Sequence, residues 1–233
     1  ITFTTSTPTP TYAVTYNANG ATSGTAPANQ TKTHDVDLTL ATNTGNLAKT
    51  GYTFAGWNTA ANGSGTSYAA GGTYAGNAAL TLYAKWTAEA YTVTFNANGG
   101  TTPVPATKQV TYGDAYGDLA ATSRDGYSLS GWFTAAAGGT QVTSATTVST
   151  AENHTLYAQW TGGKFTLTVS NGTGSGEYDV GAVVSIAANP PAEGKVFDQW
   201  TGDVAHVANV NLANTTVTMP DANISVTATY KDK

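Results

Sequence analysis

A pair of catalytic carboxylates is the first chemistry to look for, since glycosidases hold two of them roughly 5 to 10 Å apart. Asp114 and Asp118 have no counterparts at matching positions elsewhere in the chain. There is also no GxSxG nucleophile elbow, and the Gly172–Gly176 segment indicates a turn between strands rather than a phosphate loop. The sequence therefore predicts no catalytic residue, no cofactor and no enzyme activity.

Metal binding requires several oxygen, nitrogen or sulfur donors close together. The hard oxygen donors near predicted turns are Asp35/Asp37 and Asp198/Asp203, and neither pair lies in an EF-hand loop. The three histidines show no spacing typical of metal ligands; they are His34, His154 and His206. The chain has no cysteine, which removes thiolate ligands and disulfides. Solvated turns are favoured over calcium sites, and no metal site is predicted.

An intramolecular isopeptide bond between lysine and asparagine is a further chemistry found in surface proteins. It needs a lysine, an asparagine or aspartate, and a buried carboxylate on facing strands. The lysines of this chain do not recur in register, so no such bond is predicted; they are Lys32, Lys49, Lys85, Lys108, Lys164, Lys195, Lys231 and Lys233.

The five tryptophans could either stack on sugars or fill small hydrophobic cores. One large aromatic side chain buries about 150–250 Å², which a small unit needs for its core. These residues recur at matching places on the apolar faces of predicted strands, so we expect core positions, with a glycan platform as the alternative. They are Trp57, Trp86, Trp132, Trp160 and Trp200.

Composition excludes several classes of partner. The 233 residues carry a net charge of −5 with only 10% charged residues, against about 25% in an average domain. Nine basic residues are too few to form the positively charged surface that binds nucleic acid. No apolar run approaches the roughly 20 residues of a membrane span, while 40% apolar residues can build cores.

The strands that would position these residues belong to internal repeats. Three segments occur twice: YxVTxNANG at Tyr12–Gly20 and Tyr91–Gly99, GYxxxGW at Gly51–Trp57 and Gly126–Trp132, and LYAxW at Leu82–Trp86 and Leu156–Trp160. The offset between the two copies of a segment decreases along the chain. A weaker third copy contains Phe165–Val169, Val196–Trp200 and Val226–Tyr230. We therefore predict an N-terminal strand and Pro-rich connector at 1–11 and repeats at 12–88, 89–162 and 163–233.

Local patterns predict small all-β units with little helix. Apolar residues alternate with threonine, whose branched Cβ suits an outer strand face, and Gly and Asn cluster between the strands. Short helical turns are expected only at Asn46–Thr50 and Leu119–Arg124. The linkers Thr87–Ala90 and Thr161–Lys164 are very short, which predicts an elongated and semi-rigid array.

The three segments at this spacing resemble the Listeria–Bacteroides repeat, the internalin-B-type B repeat. The first two copies match closely, and the third resembles the divergent form of the same group, with VFDQWTGD and MPDANISVTATY. The resemblance implies a small β-grasp-like fold, an extracellular or cell-surface location, and roles as stalks, spacers or adhesive modules. It implies no catalytic residues.

The N-terminal segment and the sequons suggest surface features. Ile1 and Phe3 alternate as in a strand ahead of the Pro-rich connector, and such a strand could add to the sheet edge of a neighbouring copy. A linker or a frayed terminus is the alternative. Six Asn-x-Ser/Thr sequons could be glycosylated in an exported protein: Asn29, Asn62, Asn153, Asn171, Asn214 and Asn223.

These observations favour a non-catalytic extracellular structural protein, either a cell-surface stalk or a subunit of a pilus-like filament. Its partners would then be other copies of itself. Two alternatives remain open at this point. One is an adhesin-type module that binds a surface glycan or a host protein, and the other is an accessory region of a larger secreted enzyme.

Overall fold

The chain is almost entirely β-structure. The computed structural model of the protein describes residues 7–233, and within them it contains nineteen strands and one short 3₁₀ helix, Val204–His206. The predicted fold class, β-rich tandem units with little helix, is confirmed. The predicted assembly residues Ile1 and Phe3 lie outside the described residues, so their role stays a prediction.

The strands follow the three sequence repeats. The first repeat contains β1 (Thr11–Asn17), β2 (Gln30–Thr33), β3 (Leu38–Thr39), β4 (Tyr52–Asn58), β5 (Ser67–Tyr68), β6 (Thr73–Tyr74) and β7 (Leu80–Ala88). The second contains β8 (Ala90–Asn96), β9 (Thr107–Thr111), β10 (Tyr127–Phe133), β11 (Gln141–Val142) and β12 (His154–Gly162). The third contains β13 (Lys164–Ser170), β14 (Gly172–Thr173), β15 (Gly176–Asp179), β16 (Val183–Ala188), β17 (Lys195–Gly202), β18 (Asn214–Thr218) and β19 (Ile224–Asp232).

The chain divides into two compact units. In its described part, the first comprises 7–93, Gln109–Gly117 and Ala145–His154. The second comprises Thr94–Lys108, Asp118–Ser144 and Thr155–Lys233. The boundaries given above for the three repeats stay a prediction.

In the first unit, a five-stranded sheet has the order β2-β1-β7-β4-β5, and a two-stranded sheet joins β3 to β6. β1 and β7 run parallel, with Val14 opposite Leu80 and Tyr16 opposite Leu82. β2 and β4 flank this pair antiparallel. Val14, Tyr16 and Leu82 are buried in the core, as the alternating pattern of these segments predicts.

In the second unit, a four-stranded sheet has the order β15-β13-β19-β17, which repeats the arrangement of β2-β1-β7-β4. Its central pair is again parallel, with Leu167 opposite Ile224 and Val169 opposite Val226. A second sheet, β14-β16-β18, adds Ile186 to the same core. The second repeat has a five-stranded sheet of its own, in the order β11-β10-β12-β8-β9.

A β-bulge explains the glycine of the GYxxxGW segment. The register between β4 and β7 shifts between Phe54 and Trp57, where Gly56 has a φ of +100°. The equivalent Gly131 has a φ of +140° at the bulge between β10 and β12. Only glycine adopts such backbone freely, and a bulge turns the following side chain toward the core. The third repeat has a register shift at the matching place although it lacks this glycine.

The two predicted helical turns are wrong. Ala48 forms an isolated antiparallel bridge with Ser23, and Ala121 forms one with Val104. Leu47 and Ala120, which precede these bridges, are buried. Pairing with a distant segment satisfies the backbone while the apolar residue fills the core, so tertiary contacts override the weak local preference for a helical turn.

Replacing Trp132 by alanine should destabilise the protein through a large cavity. Its side chain is buried, and its Nε1 donates a hydrogen bond to Ala120 O at 2.9 Å. Removing such a side chain costs about 3–5 kcal/mol, so we expect the melting temperature to fall by at least several degrees. The control is Leu129→Ala on the same strand, because Leu129 is exposed. A Trp132→Ala protein with unchanged melting temperature would contradict the core assignment.

Candidate functional site

The residues considered for acid–base or metal chemistry do not converge. Within residues 7–233, no three side chains of His, Asp or Glu gather as a metal site. Two histidines bond tyrosines instead: His34 Nδ1 lies 2.9 Å from Tyr12 Oη, and His154 Nε2 lies 2.7 Å from Tyr116 Oη. Asp203 Oδ2 accepts a hydrogen bond from the backbone N–H of Ser225 on β19.

The five tryptophans occupy two kinds of position. Three are buried and donate their Nε1 hydrogen bonds to loop carbonyls: Trp57 to Ala41, Trp132 to Ala120 and Trp200 to Leu212. Trp86 and Trp160, which close the LYAxW strands, are only partly buried. Their Nε1 groups donate to Asn19 O and Ala97 O in the NANG turns. The sequence pattern alone did not separate these two classes, because both alternate with polar residues.

A cleft of about 370 Å³ lies beside Trp86 in the first repeat. Its lining includes Tyr52, Lys49 and Lys85 and contains no acidic residue. Lys49 Nζ lies 4.5 Å from the centroid of the Tyr52 ring, and Lys85 Nζ donates to Ser67 Oγ at 3.0 Å. A volume of this size can hold one or two sugar rings beside an aromatic face.

The buried Asn58 builds one wall of this cleft. Its Nδ2 donates to the carbonyls of Gly63 and Gly65, and its Oδ1 accepts from Ala60 N–H. The second repeat has Gln159 where the first has Lys85, and Gln159 Nε2 donates to Ala135 O and Gly138 O. The corresponding side chain there is therefore occupied with its own loop.

All six predicted sequon asparagines are exposed. Several of them also make structural hydrogen bonds. Asn153 Oδ1 accepts from Thr92 N–H, and Asn223 Oδ1 accepts from Thr166 N–H. Glycosylation of these residues stays a prediction.

One residue of the linker between the first and second repeats forms backbone hydrogen bonds to both of them. Glu89 donates its N–H to Gly51 O at 2.9 Å and accepts at its own carbonyl from Tyr112 N–H at 2.9 Å. Gly51 starts the GYxxxGW segment of the first repeat, and Tyr112 follows β9 of the second. A single linker residue thus pairs with the backbone of both repeats.

Side chains pack around this backbone link. The Tyr52 and Tyr112 rings meet edge to face, with centroids 5.5 Å apart. Gly51 has a φ of +75°, and a Cβ there would overlap the Tyr112 ring. Glu89 accepts hydrogen bonds from Tyr91 Oη at 2.6 Å and Thr53 Oγ1 at 2.7 Å. This contact therefore depends on a glycine in the left-handed region.

The link between the second and third repeats has the same backbone pattern. Gly163 donates its N–H to Gly126 O at 2.7 Å and accepts from Val180 N–H at 2.9 Å. A Cβ on Gly126, whose φ is +74°, would overlap Asp221. Gly163 and Val180 thus correspond to Glu89 and Tyr112. The pattern recurs although the side chains differ, so the backbone geometry is what the two junctions share.

The start of the described chain carries half of this pattern. His34 donates its N–H to Pro10 O at 3.0 Å, as Tyr112 does to Glu89 O. Pro10 has no N–H with which to complete the other half. Sequence analysis did not find the junction residues, although the GY dipeptide at Gly51 and Gly126 was a signal of their recurrence.

Comparison with known proteins now defines the class as a tandem-repeat protein built from small β-units. The Listeria–Bacteroides repeat domain matches residues 12–85 and 91–159, and the divergent InlB B-repeat domain matches residues 165–233. The chain belongs to the Listeria–Bacteroides repeat family, with two typical repeats and one divergent repeat, as the resemblance implied.

Two curated relatives share this region. A protein described as a Gly-rich membrane protein of Evansella cellulosilytica is 31% identical over 197 residues, which are 82% of this chain and 22% of that protein. Internalin H of Listeria monocytogenes is 41% identical over 113 residues, which are 48% of this chain and 20% of that protein. The chain therefore spans about a fifth of the length of these relatives. Its described residues contain no helix with the length and hydropathy that a membrane crossing requires.

The charge of Glu89 should make the first junction sensitive to acid. Hydrogen bonds from Tyr91 and then Thr53 lower the pKa of Glu89, and the bond to Glu89 raises the pKa of Tyr91 to about 12. The contribution of Glu89 is present above its unfolded pKa of about 4.3 and is lost as pH falls through the lower folded value. The contribution of Tyr91 is present below about pH 10 and is lost as pH rises toward 12.

We therefore expect Glu89→Gln to lose less stability than the parent when the pH falls from 6 to 3. The measurement is the melting temperature at each pH, and the expected difference is a few degrees because Glu89 and Tyr91 are only partly buried. Glu177→Gln, an exposed change in the third repeat, is the control. Identical acid dependence in the parent and Glu89→Gln would show that the Glu89 carboxylate does not support the junction.

Proposed function

We propose that this chain is a non-catalytic spacer in a bacterial cell-surface protein, holding other parts of that protein at a set distance. The observation that carries the proposal is the doubly bonded linker residue, Glu89 in one junction and Gly163 in the other. A linker that pairs with both neighbours has little conformational freedom. Such a link transmits orientation from one repeat to the next, which a flexible tether cannot do.

The surface chemistry and the relatives support the same role. Threonine, asparagine and glycine take the outer positions, and only 10% of residues are charged. Internalin H and the Gly-rich membrane protein each extend far beyond the shared region. The parts that recognise partners or anchor to the cell would then lie elsewhere in such proteins. A pilus-like filament joined through Ile1 and Phe3 stays a prediction, because those residues lie outside the described part.

Distance measurement between two repeats tests the spacer role. The chain has no cysteine, so Ser64→Cys and Ser149→Cys can carry spin labels on exposed loops of the first two repeats, both within the first compact unit. Double electron–electron resonance should then give a narrow distribution of the distance between the two labels. Gly51→Val should broaden it, because the new side chain would collide with the Tyr112 ring. A broad distribution in the parent would mean a flexible tether and would overturn the proposal.

The matched control is Gly63→Val. Gly63 has a φ of +77°, close to the +75° of Gly51, but a Cβ there meets nothing within 4 Å. Both variants therefore carry the same backbone strain, and only one disturbs the junction. Cleavage by a Glu-specific protease at Glu89 gives a second measurement: it should accelerate in Gly51→Val and not in Gly63→Val.

The cleft beside Trp86 favours a second function, binding of a carboxylate-bearing oligosaccharide. Its Trp86 and Tyr52 side chains offer aromatic surface, and its Lys49 and Lys85 side chains offer positive charge in a chain that is acidic as a whole. Asn58 holds the loop wall in place through hydrogen bonds. Aromatic faces with a few fixed polar groups are typical of sugar sites.

Calorimetric titration with two sugars tests this second function. Hyaluronan hexasaccharide should bind and the neutral chitohexaose should bind more weakly. Lys49→Gln with Lys85→Gln should weaken hyaluronan binding by about tenfold or more, since each charged hydrogen bond is worth about 1.5–3 kcal/mol. Arg124→Gln, whose parent side chain lies over the Tyr127 ring in the second repeat, is the control. Equal binding of both sugars, or none, would rule out this function.

A further inference from the structure

Lys32 occupies a core position that the other repeats fill with uncharged side chains. It lies on β2 and is fully buried, with 0% of its surface exposed. The register of β2 on β1 places Lys32 opposite Tyr12, and the register of β15 on β13 places Tyr178 opposite the equivalent Phe165. The segment before Tyr112 places the buried Val110 at this position in the second repeat. A lysine at this position requires an explanation, because burying a charged group costs free energy unless the group is paired.

The buried amine lies against the side-chain amide of Asn77. Lys32 Nζ donates to Asn77 Oδ1 at 3.2 Å and to Thr33 O at 2.7 Å. Asn77 Nδ2 donates to Asp35 Oδ1 at 2.7 Å, and Asp35 N–H donates to Asn77 Oδ1 at 2.9 Å. Every polar atom of the Asn77 amide is therefore held by Lys32 or Asp35.

We propose that Lys32 and Asn77 react to form an intramolecular isopeptide bond, with Asp35 as the catalytic residue. Lys32 Nζ forms a bond to Asn77 Cγ, and the bond from Cγ to Nδ2 breaks. Starting from the ammonium form, the two protons that Nζ loses end on the departing nitrogen, which leaves as an ammonium ion. The chain loses one ammonia and the positive charge of Lys32, and no oxidant or cofactor is required.

The contacts of Asp35 match the two tasks of this reaction. Its backbone N–H already bonds Asn77 Oδ1, the atom that becomes negative when Nζ attacks, so it serves as an oxyanion donor. Its carboxylate contacts Nδ2, the leaving nitrogen, and can relay protons to it. The other carboxylate oxygen lies 3.5 Å from His34 Nε2. The Asp35 side chain is 78% exposed, so this site differs from one with a buried carboxylate, and its acid–base group exchanges protons with solvent.

Asp35 reaches both atoms of the amide because its backbone is in the left-handed region, with a φ of +53°. This conformation is uncommon except for glycine, asparagine and aspartate. It turns the N–H and the side chain of Asp35 toward the same residue. The second repeat has Gly113 and Ala151 where the first has Asp35 and Asn77. The three reactive side chains therefore occur together in the first repeat and are absent together from the second.

The bond would stabilise the first repeat at its edge strand β2. Among the strands of residues 7–233, β2 stands at an edge of its sheet and pairs with β1, and Asn77 lies just before β7. A covalent link closes the chain between residues 32 and 77 and ties this edge to the segment that leads into the central strand. Cross-links of this kind stabilise the fold by restricting the unfolded chain.

Mass spectrometry of the full chain tests the proposal. We expect an intact mass about 17 Da below the sequence mass, the loss of one ammonia. Asn-Gly sequences can also lose ammonia by forming a succinimide, so a tryptic map must accompany the mass. In the linked protein trypsin cannot cut at Lys32, and the peptide that ends at Lys49 stays joined to 50–85. Full mass with free cleavage at Lys32 would overturn the proposal.

Three variants separate the roles. Lys32→Arg keeps the charge but cannot form the amide, so its two peptides should separate. Asp35→Ala should remain unlinked although its circular dichroism spectrum shows a folded β-protein; a linked Asp35→Ala would overturn the role of Asp35. Lys85→Arg is the matched control on a different lysine of the same repeat, and it should stay linked. A link at any other lysine would also contradict the assignment.

Discussion

The burial of one tryptophan beside a β-bulge is the constraint on which each repeat depends. A unit of about seventy residues has little apolar surface to bury, so a single large aromatic side chain carries much of its core. The part of the strand that follows the bulge places Trp57, Trp132 or Trp200 in the core. A hydrogen bond from the Nε1 of each tryptophan fixes its ring. The parallel central strands then pack their alternate residues against this ring, and the outer faces are left to threonine.

The junctions between the repeats, like the cores, depend on a small number of contacts. The linkers are too short to form independent structure, so their backbone groups must find partners in the adjacent repeats. Glu89 and Gly163 do this with the same two hydrogen bonds although one is charged and the other has no side chain. The low charge of the chain reduces repulsion between neighbouring repeats.

The sequence predicted the structure correctly where the signal was local or repeated. The alternation in Phe165–Val169 and LYAQW predicted strands, and the offsets between matching segments revealed the repeats. It failed at Asn46–Thr50 and Leu119–Arg124, because bridges to Ser23 and Val104 decide their conformation. It predicted no isopeptide bond because the lysines do not recur, and the bond between Lys32 and Asn77 is a proposal that mass spectrometry decides. The burial of Lys32 was invisible because its neighbours on β2 are polar.

The sequence by itself determined the period, the strand segments and the positions of the turns. Those properties follow from alternation and from the backbone freedom of glycine and asparagine, which act over a few residues. Only the tertiary structure decided that Trp86 lines a cleft while Trp57 is buried. It alone brought Asn77 to Lys32, which lies 45 residues away. Pairing of distant strands sets these contacts, and no local pattern encodes which strands will meet.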